Sequence, residues 1–281
     1  MSIIVTSDST SDLSPQQLRE HNIELVPLSI EKGGRTFTDG IDIHPADIFA
    51  HVAAGGDLCK TAAVNLIDYR AKFAELSKTY DAVIHVDISS DFSSCFQNAS
   101  LAAEEFPNVY VVDSRNLSTG HGHVVLKACE YAEAGMDAPE IVEKLNALAP
   151  RVDASFILDR LDYMRKGGRC SSVVALGANL LHLKPCIEVV DGRMIVGNKY
   201  RGSLLKCLES YVADRLKNLD DIEPGRIFIT HTAMPEGTCE AVRDMIEKLG
   251  YFKEIVDTEA GCTVSCHCGP GTLGILYIHK A

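Results

Sequence analysis

The sequence predicts an α/β protein in two parts: a mainly parallel sheet with helices on both faces, then an α+β unit with a mixed or antiparallel sheet. Two observations predict it. Strand and helix signals alternate through the first 150 residues, the pattern of a parallel sheet covered on both sides. Past that point, short strands, a tight hairpin and amphipathic helices follow one another, which is an α+β order. Pro150 to Asp153 marks the boundary, giving domains 1–152 and 153–281.

In the first part, Ile3-Ile4-Val5 reads as a buried strand. Ser14 with Pro15 is an N-cap followed by a first helical position, opening a helix through about Arg19. Ile23 to Ile30 reads as a second strand, and His44-Pro45 opens a short helix through Phe49. Leu66 to Leu76 has helical apolar spacing, and Ala82 to Ile88 is a strand. A helical pattern covers Ser93 to Phe106, a buried strand Val109 to Val112, and helices Thr119 to Ala134 and Pro139 to Leu148.

In the second part, Ser155 to Leu158 is a short strand and Val173 to Leu183 a helical stretch. Ile187 to Val196 is a hairpin, because Asp191-Gly192 suits the positive φ angles of a tight turn. Leu204 to Leu219 is an amphipathic helix, Arg226 to Thr230 a strand and Gly237 to Leu249 a helix. Two strands close the chain, and no internal repeat is visible.

Composition excludes several functions. The chain has 281 residues, 27 Lys plus Arg against 39 Asp plus Glu, and a net charge of −12. Such a balance excludes a general nucleic-acid binder and disfavours electrostatic attachment to an anionic membrane. The most apolar stretch, Ser172 to Leu183, is too short to span a bilayer and contains Asn179 and His182, so no stable membrane insertion is expected. The start shows no secretory pattern, and ten scattered cysteines fit reduced thiols in a cytoplasm.

Chemistry-bearing residues gather at strand ends. Three strands of the first part end in Ser7-Asp8-Ser9-Thr10, Asp87-Ile88-Ser89-Ser90 and Asp113-Ser114. The carboxyl ends of parallel strands form the ligand crevice of open α/β sheets, so Asp8, Ser9, Ser90 and Ser114 are crevice candidates. Each has a second account as a helix cap. Ser93 begins a helix, where a hydroxyl, free N–H groups and the helix dipole suit an anion, and where an ordinary N-cap also sits. Thr61, just before a helix, has capping as its simplest reading. Arg165-Lys166-Gly167-Gly168-Arg169 is either an anion contact or a helix C-terminus with a glycine cap.

Near the C-terminus, Gly261 to Gly271 reads as a strand segment with Cys266 and Cys268 on one face and His267 on the other. Zinc would want CxxC-like spacing and a second ligand pair, so no metal site is expected. His267 is a hydrogen-bonding or acid/base group, or a satisfied core histidine, and His231-Thr232 offers a weaker version of the same idea. Phosphate-cradle and nucleophile-elbow motifs are absent.

In combination, several motifs resemble the DegV family: Thr6-Ser7-Asp8-Ser9-Thr10-Ser11-Asp12, Val111-Val112-Asp113-Ser114 with Ser118-Thr119-Gly120-His121-Gly122, Leu161 to Arg169, Lys184-Pro185, and His267-Cys268-Gly269-Pro270-Gly271-Thr272-Leu273-Gly274. They run in order over essentially the whole chain. The resemblance implies two α/β domains holding a long-chain fatty acid between them. It implies a non-catalytic, acyl-carrying subunit without a cofactor, whose bound carboxylate a separate fatty-acid kinase phosphorylates. It places the head-group residues on Thr61, Ser93, His267 and Arg169. Two stretches depart from the family pattern: Ala62-Ala63-Val64-Asn65 after Thr61, and Ser94-Cys95 after Ser93.

Such a ligand makes physical sense here. Burying each methylene is worth about 0.8 kcal/mol, so a tail of roughly 14 methylenes supplies about 11 kcal/mol before ordering costs. The carboxylate needs partners, and two hydroxyls can each donate one hydrogen bond. Two rivals stand beside this reading. One is a serine-dependent acyl hydrolase using Ser93, His267 and Asp8; the other is a small-anion or phosphosugar binder.

Overall fold

The computed structural model describes residues 2–175 and 183–281. Strands β1 (Ile3–Asp8), β2 (Glu24–Val26), β3 (Ser29–Lys32), β4 (Arg35–Thr38), β5 (Lys60–Ala62), β6 (Ala82–Asp87) and β7 (Val109–Asp113) come first. Strands β8 (Val152–Ile157), β9 (Leu183–Val190), β10 (Arg193–Arg201), β11 (Arg226–His231), β12 (Glu254–Glu259) and β13 (Leu273–Ile278) follow. Four of them make an all-parallel sheet in the order β2-β1-β6-β7. Six make a mixed sheet, β10-β9-β8-β13-β11-β12, antiparallel except for the parallel pair β11 and β12.

Alternation along the parallel strands sends side chains to two cores. Ile4, Val83 and Val109 join Tyr69 and Phe73 of helix Leu66–Thr79 and Cys95 and Ala99 of helix Cys95–Ala103. Val5, Ile84 and Val112 meet Val124, Val125 and Ala128 of helix Ser118–Glu133 and Ile141 and Leu145 of helix Ala138–Leu148. Period-two burial is thus what places helices on both faces. Both cores also take in residues of the mixed sheet: Phe156 and Ile187 in the first, Ala154, Phe228 and Leu276 in the second.

Helix Ser118–Glu133 lies between the sheets, and its first nine residues are all buried. His121 Nε2 meets the Val86 carbonyl of the parallel sheet at 3.0 Å, and His123 Nε2 meets the Leu276 carbonyl of the mixed sheet at 3.1 Å. Burial pushes the His123 imidazole down to about 3, so it packs as a neutral ring edge-on to Phe228.

Some sequence expectations need correction. Ile23 to Ile30 is not one strand: Pro27 interrupts it, leaving β2 in the parallel sheet and β3 in a separate antiparallel sheet ordered β4-β3-β5. Proline cannot donate to a ladder, so the chain changes sheets there. Thr61 lies in β5, and the cap of the following helix is Asn65, whose side chain accepts from the Ile67 and Asp68 N–H groups. The Cys-His-Cys segment is a helix, Cys262–Cys268, rather than a strand. The helical expectation for Val173 to Leu183 holds over helix Ser171–Ala175, residues 176–182 lie outside the described residues, and Leu183 begins β9. At the hairpin, Asp191 (φ 50°) and Gly192 (φ 81°) take the expected positive angles, with Val190 opposite Arg193.

Candidate functional site

Helix Cys262–Cys268 is the element that sets the site, and two buried carboxylates from the first part of the chain hold its start. Asp39 accepts from the Cys262 and Thr263 N–H groups at 3.1 Å each and from the Thr263 hydroxyl at 2.6 Å. Asp12 accepts from the Gly261 N–H at 2.8 Å. A seven-residue helix is too short to stand on propensity, so these carboxyl caps, which accept from its otherwise unpaired first N–H groups, explain why the segment is helical. Neither carboxylate has a spacing that advertises this role in the sequence.

One residue from the helix end, the imidazole of His267 reaches across to β5. His267 Nε2 and Thr61 Oγ1 stand 2.9 Å apart. Among the described residues, His267 Nδ1 is buried without a hydrogen-bond partner. It lies against Gly167, where an added Cβ would come within 2.3 Å of it. Burial, with Arg169 nearby, holds the imidazole down at about 4, so it is neutral at physiological pH.

Helix Leu161–Gly167 ends in Gly168 at φ 70°, whose N–H donates to the Met164 carbonyl. The basic stretch is therefore a glycine-capped helix C-terminus. It also delivers Arg169 to the site, where Nη1 donates to the Gly167 carbonyl at 2.8 Å. Ser93 precedes helix Cys95–Ala103; its hydroxyl accepts from the Cys95 N–H at 3.2 Å and lies 3.1 Å from the Cys95 thiol. Ser94, not Ser93, is the N-cap residue of that helix and makes no side-chain cap bond, so the capping expectation is off by one position; the Ser93 hydroxyl also faces a cavity.

That cavity, of about 120 Å³, is largely apolar. Leu28, Ile88, Phe92, Leu117, Met194 and Val264 line it, together with Thr61, Ser93, Arg169 and His267. A smaller void of about 20 Å³ continues past the shared residues Leu117, Val264 and Cys268. On the other side an open polar basin of about 670 Å³ includes Lys60, Lys166 and Asp57. Thr61, Arg169 and His267 belong to both the apolar cavity and the basin, so they form the boundary between them.

The crevice candidates sit elsewhere. Asp8 accepts from the Thr10 and Ile88 N–H groups, and Ser9 donates to Asp39. The Ser90 N–H donates to Asp113, and the Ser114 hydroxyl donates to the Asn116 carbonyl. None of these four lines the apolar cavity. The hydrolase constellation is not assembled: Asp8 faces His121 at 4.0 Å, His267 pairs with Thr61, and Ser93 meets Cys95. A triad histidine is oriented by an acid at its second nitrogen, the position His267 leaves unpartnered. Sequence reasoning missed the cavity wall formed by Met194 of the hairpin and Leu117, which carry no signal beyond being apolar. Among the described residues no helix is long and apolar enough to cross a membrane.

An α/β protein whose apolar cavity opens at a threonine, a histidine and an arginine contributed by both halves of the chain is the class that fold and site define. The protein-family description matching residues 2–280 is "Uncharacterised protein, DegV family". The chain belongs to the DegV family. It is 32% identical over 276 residues to a DegV domain-containing protein of Deinococcus radiodurans, covering 98% of both chains. Its fold is similar to a solved DegV family protein of Thermus thermophilus described by its fatty acid binding, with TM-score 0.92, 29% identity and full coverage of both chains. It is similar also to DegV of Bacillus subtilis, described as a fatty acid binding protein, with TM-score 0.87, 26% identity and full coverage of both.

Proposed function

We propose that this chain binds a long-chain fatty acid, with the tail in the apolar cavity and the carboxylate at Thr61, Ser93 and His267, Arg169 standing at the rim. Residues 1–152 and 153–281 act as two domains that hold the ligand between them. The observation that carries this reading is the shared boundary: an acid whose tail lies inward has its head group where the cavity meets the polar basin. The fatty acid binding described for the Thermus and Bacillus relatives supports the same ligand class.

The head group works through neutral donors. A hydroxyl has one proton to donate and lone pairs to accept with. With the His267 proton on Nε2, Thr61 accepts from the ring and donates its own proton to the carboxylate. Ser93 donates a second hydrogen bond. Hydroxyl donors leave a carboxylate lone pair free, unlike a bidentate arginine clamp. The basin lined by Lys60 and Lys166 then suits the triphosphate of a nucleotide brought by a fatty-acid kinase. A carboxylate oxygen attacks the terminal phosphorus, the bond to the leaving nucleoside diphosphate breaks, and an acyl phosphate forms. The chain is the carrier in that reaction and uses no cofactor of its own.

Mass spectrometry of an organic extract of freshly purified protein tests the ligand class: one long-chain fatty acid per chain is expected. A phosphosugar or no lipid at all would overturn the reading. Truncating Ser93→Ala or Thr61→Ala removes a hydrogen bond to a charged group, about 1.5–3 kcal/mol, so palmitate affinity should fall roughly 10- to 100-fold. Unchanged affinity and undiminished acyl-phosphate formation in both variants would remove the head-group assignment.

A further inference from the structure

The mixed sheet carries a second convergence of side chains, outside the cavity wall around Thr61 and Ser93. His231 closes β11, Asp257 lies in β12, and Cys239 lies in the first turn of helix Thr238–Glu247, which crosses between those two parallel strands. His231 pairs with Glu259, and Ile229 with Asp257. His231 and Asp257 are thus diagonal neighbours on one face of the sheet. The crossover helix brings Cys239 over the same face. His231 Nε2, Cys239 Sγ and an Asp257 oxygen all lie within 4.8 Å of one another, and all three residues are partly buried.

We infer that His231, Cys239 and Asp257 form a binding site for a borderline-soft divalent cation of the zinc class, with a fourth position left to water. The donor set has the chemistry: one imidazole nitrogen, one thiolate and one carboxylate are ordinary zinc ligands. The spacing fits as well. Nitrogen and oxygen ligands at about 2.1 Å in a tetrahedron stand about 3.4 Å apart. His231 Nε2 and Asp257 Oδ1 are 3.1 Å apart, within a few tenths of that edge.

A separate observation concerns how the ligands are held. His231 Nδ1 stands 2.8 Å from the Thr232 carbonyl, which holds a proton on Nδ1 and turns Nε2 toward the thiol and the carboxylate; a bound cation would take the place of the Nε2 proton that Asp257 otherwise accepts. A metal-binding histidine is oriented by such an outer partner. Asp257 is held likewise: its Oδ2 lies 3.7 Å from Arg243, whose Nη1 donates to the Ile255 carbonyl. One carboxylate oxygen is thereby engaged outward and the other points at the imidazole. Cys239 is also the one cysteine that is not buried, so it alone of the ten is open to an ion arriving from solvent.

The test titrates cobalt(II) and zinc(II) into the reduced, full-length protein. One equivalent of cobalt should give a thiolate charge-transfer band and the strong visible bands of four-coordination, and one equivalent of zinc should abolish them. Cys239→Ser should lose the charge-transfer band, and Asp257→Asn should weaken zinc at least tenfold. Both positions are partly exposed; circular dichroism of each variant confirms its fold, and palmitate binding should be unaffected in both. Absence of the bands, or bands that persist in Cys239→Ser, would overturn the site and leave an ordinary histidine–carboxylate pair.

Discussion

A single imidazole sets the electrostatics of the proposed head-group site. Buried beside Arg169, His267 is held at about 4, against an ordinary value of 6.5. Between those two values the unfolded chain takes up a proton that the folded chain refuses, so stability falls as pH drops from about 6.5 toward 4. Above 6.5 both states are neutral and this contribution is constant. One proton corresponds to a slope of at most about 1.4 kcal/mol per pH unit. His267→Gln should therefore flatten the pH dependence of ligand-free stability in that window and leave it unchanged above pH 7. Urea unfolding at several pH values measures this, and equal slopes for the two proteins would mean that the ring is not held neutral. A bound carboxylate favours the charged ring, so the fatty-acid complex should show a shallower decline. At this scale the sequence was partly legible. Helix position singled out Ser93 and side-chain chemistry His267, although on a segment read as a strand, and family motifs were needed to add Thr61. The pairing of Thr61 with His267 joins residues 206 positions apart, and no local pattern encodes it.

Among the elements, the two short helices that meet at the site depend on each other. Gly167 has no side chain because the imidazole occupies that space: a Cβ there would lie 2.3 Å from His267 Nδ1. In Gly167→Ala the ring should swing aside while the backbone stays, since alanine suits a helix better than glycine. The expected outcome is a melting temperature within a few degrees of the parent and palmitate affinity at least tenfold weaker. A variant that binds normally would show that the position of the ring does not matter. Asp39 tests the other end of the arrangement. Asp39→Asn keeps an acceptor for only one of the two N–H groups of Cys262 and Thr263 and sets amide hydrogens against the other, which should cost about 1–3 kcal/mol in unfolding free energy. Regular elements with long periodic patterns, such as the alternating strands and the Asp191-Gly192 hairpin, could be read directly from the sequence. The helix at Cys262 could not, because its caps come from residues 12 and 39, and the sheet β4-β3-β5 could not, because three- and four-residue strands are too short to show a period.

Across the whole molecule, the site exists because the two sheets share their cores. Leu28, Ile88 and Phe92 on one side of the cavity and Met194, Val264 and Cys268 on the other come from distant parts of the chain, and the two large apolar clusters each draw from both sheets. The hairpin tip is tied to the parallel-sheet side as well: Ser89 donates to the Gly192 carbonyl at 2.8 Å and Arg193 pairs with Asp91 at 2.9 Å. An acyl chain lying in that cavity touches both halves at once, so it can bind only when both are folded. A ligand specific to the folded state stabilises by mass action, about 2.7 kcal/mol at a hundredfold excess over Kd. For a chain of this length that corresponds to a rise of about 5 °C in Tm. Calorimetry of delipidated protein titrated with palmitate should show one transition moving upward as a unit, with Ser93→Ala requiring more ligand for the same shift. Two transitions, with only one responding to palmitate, would mean that the ligand sits within one half and that the shared core does not form the cavity.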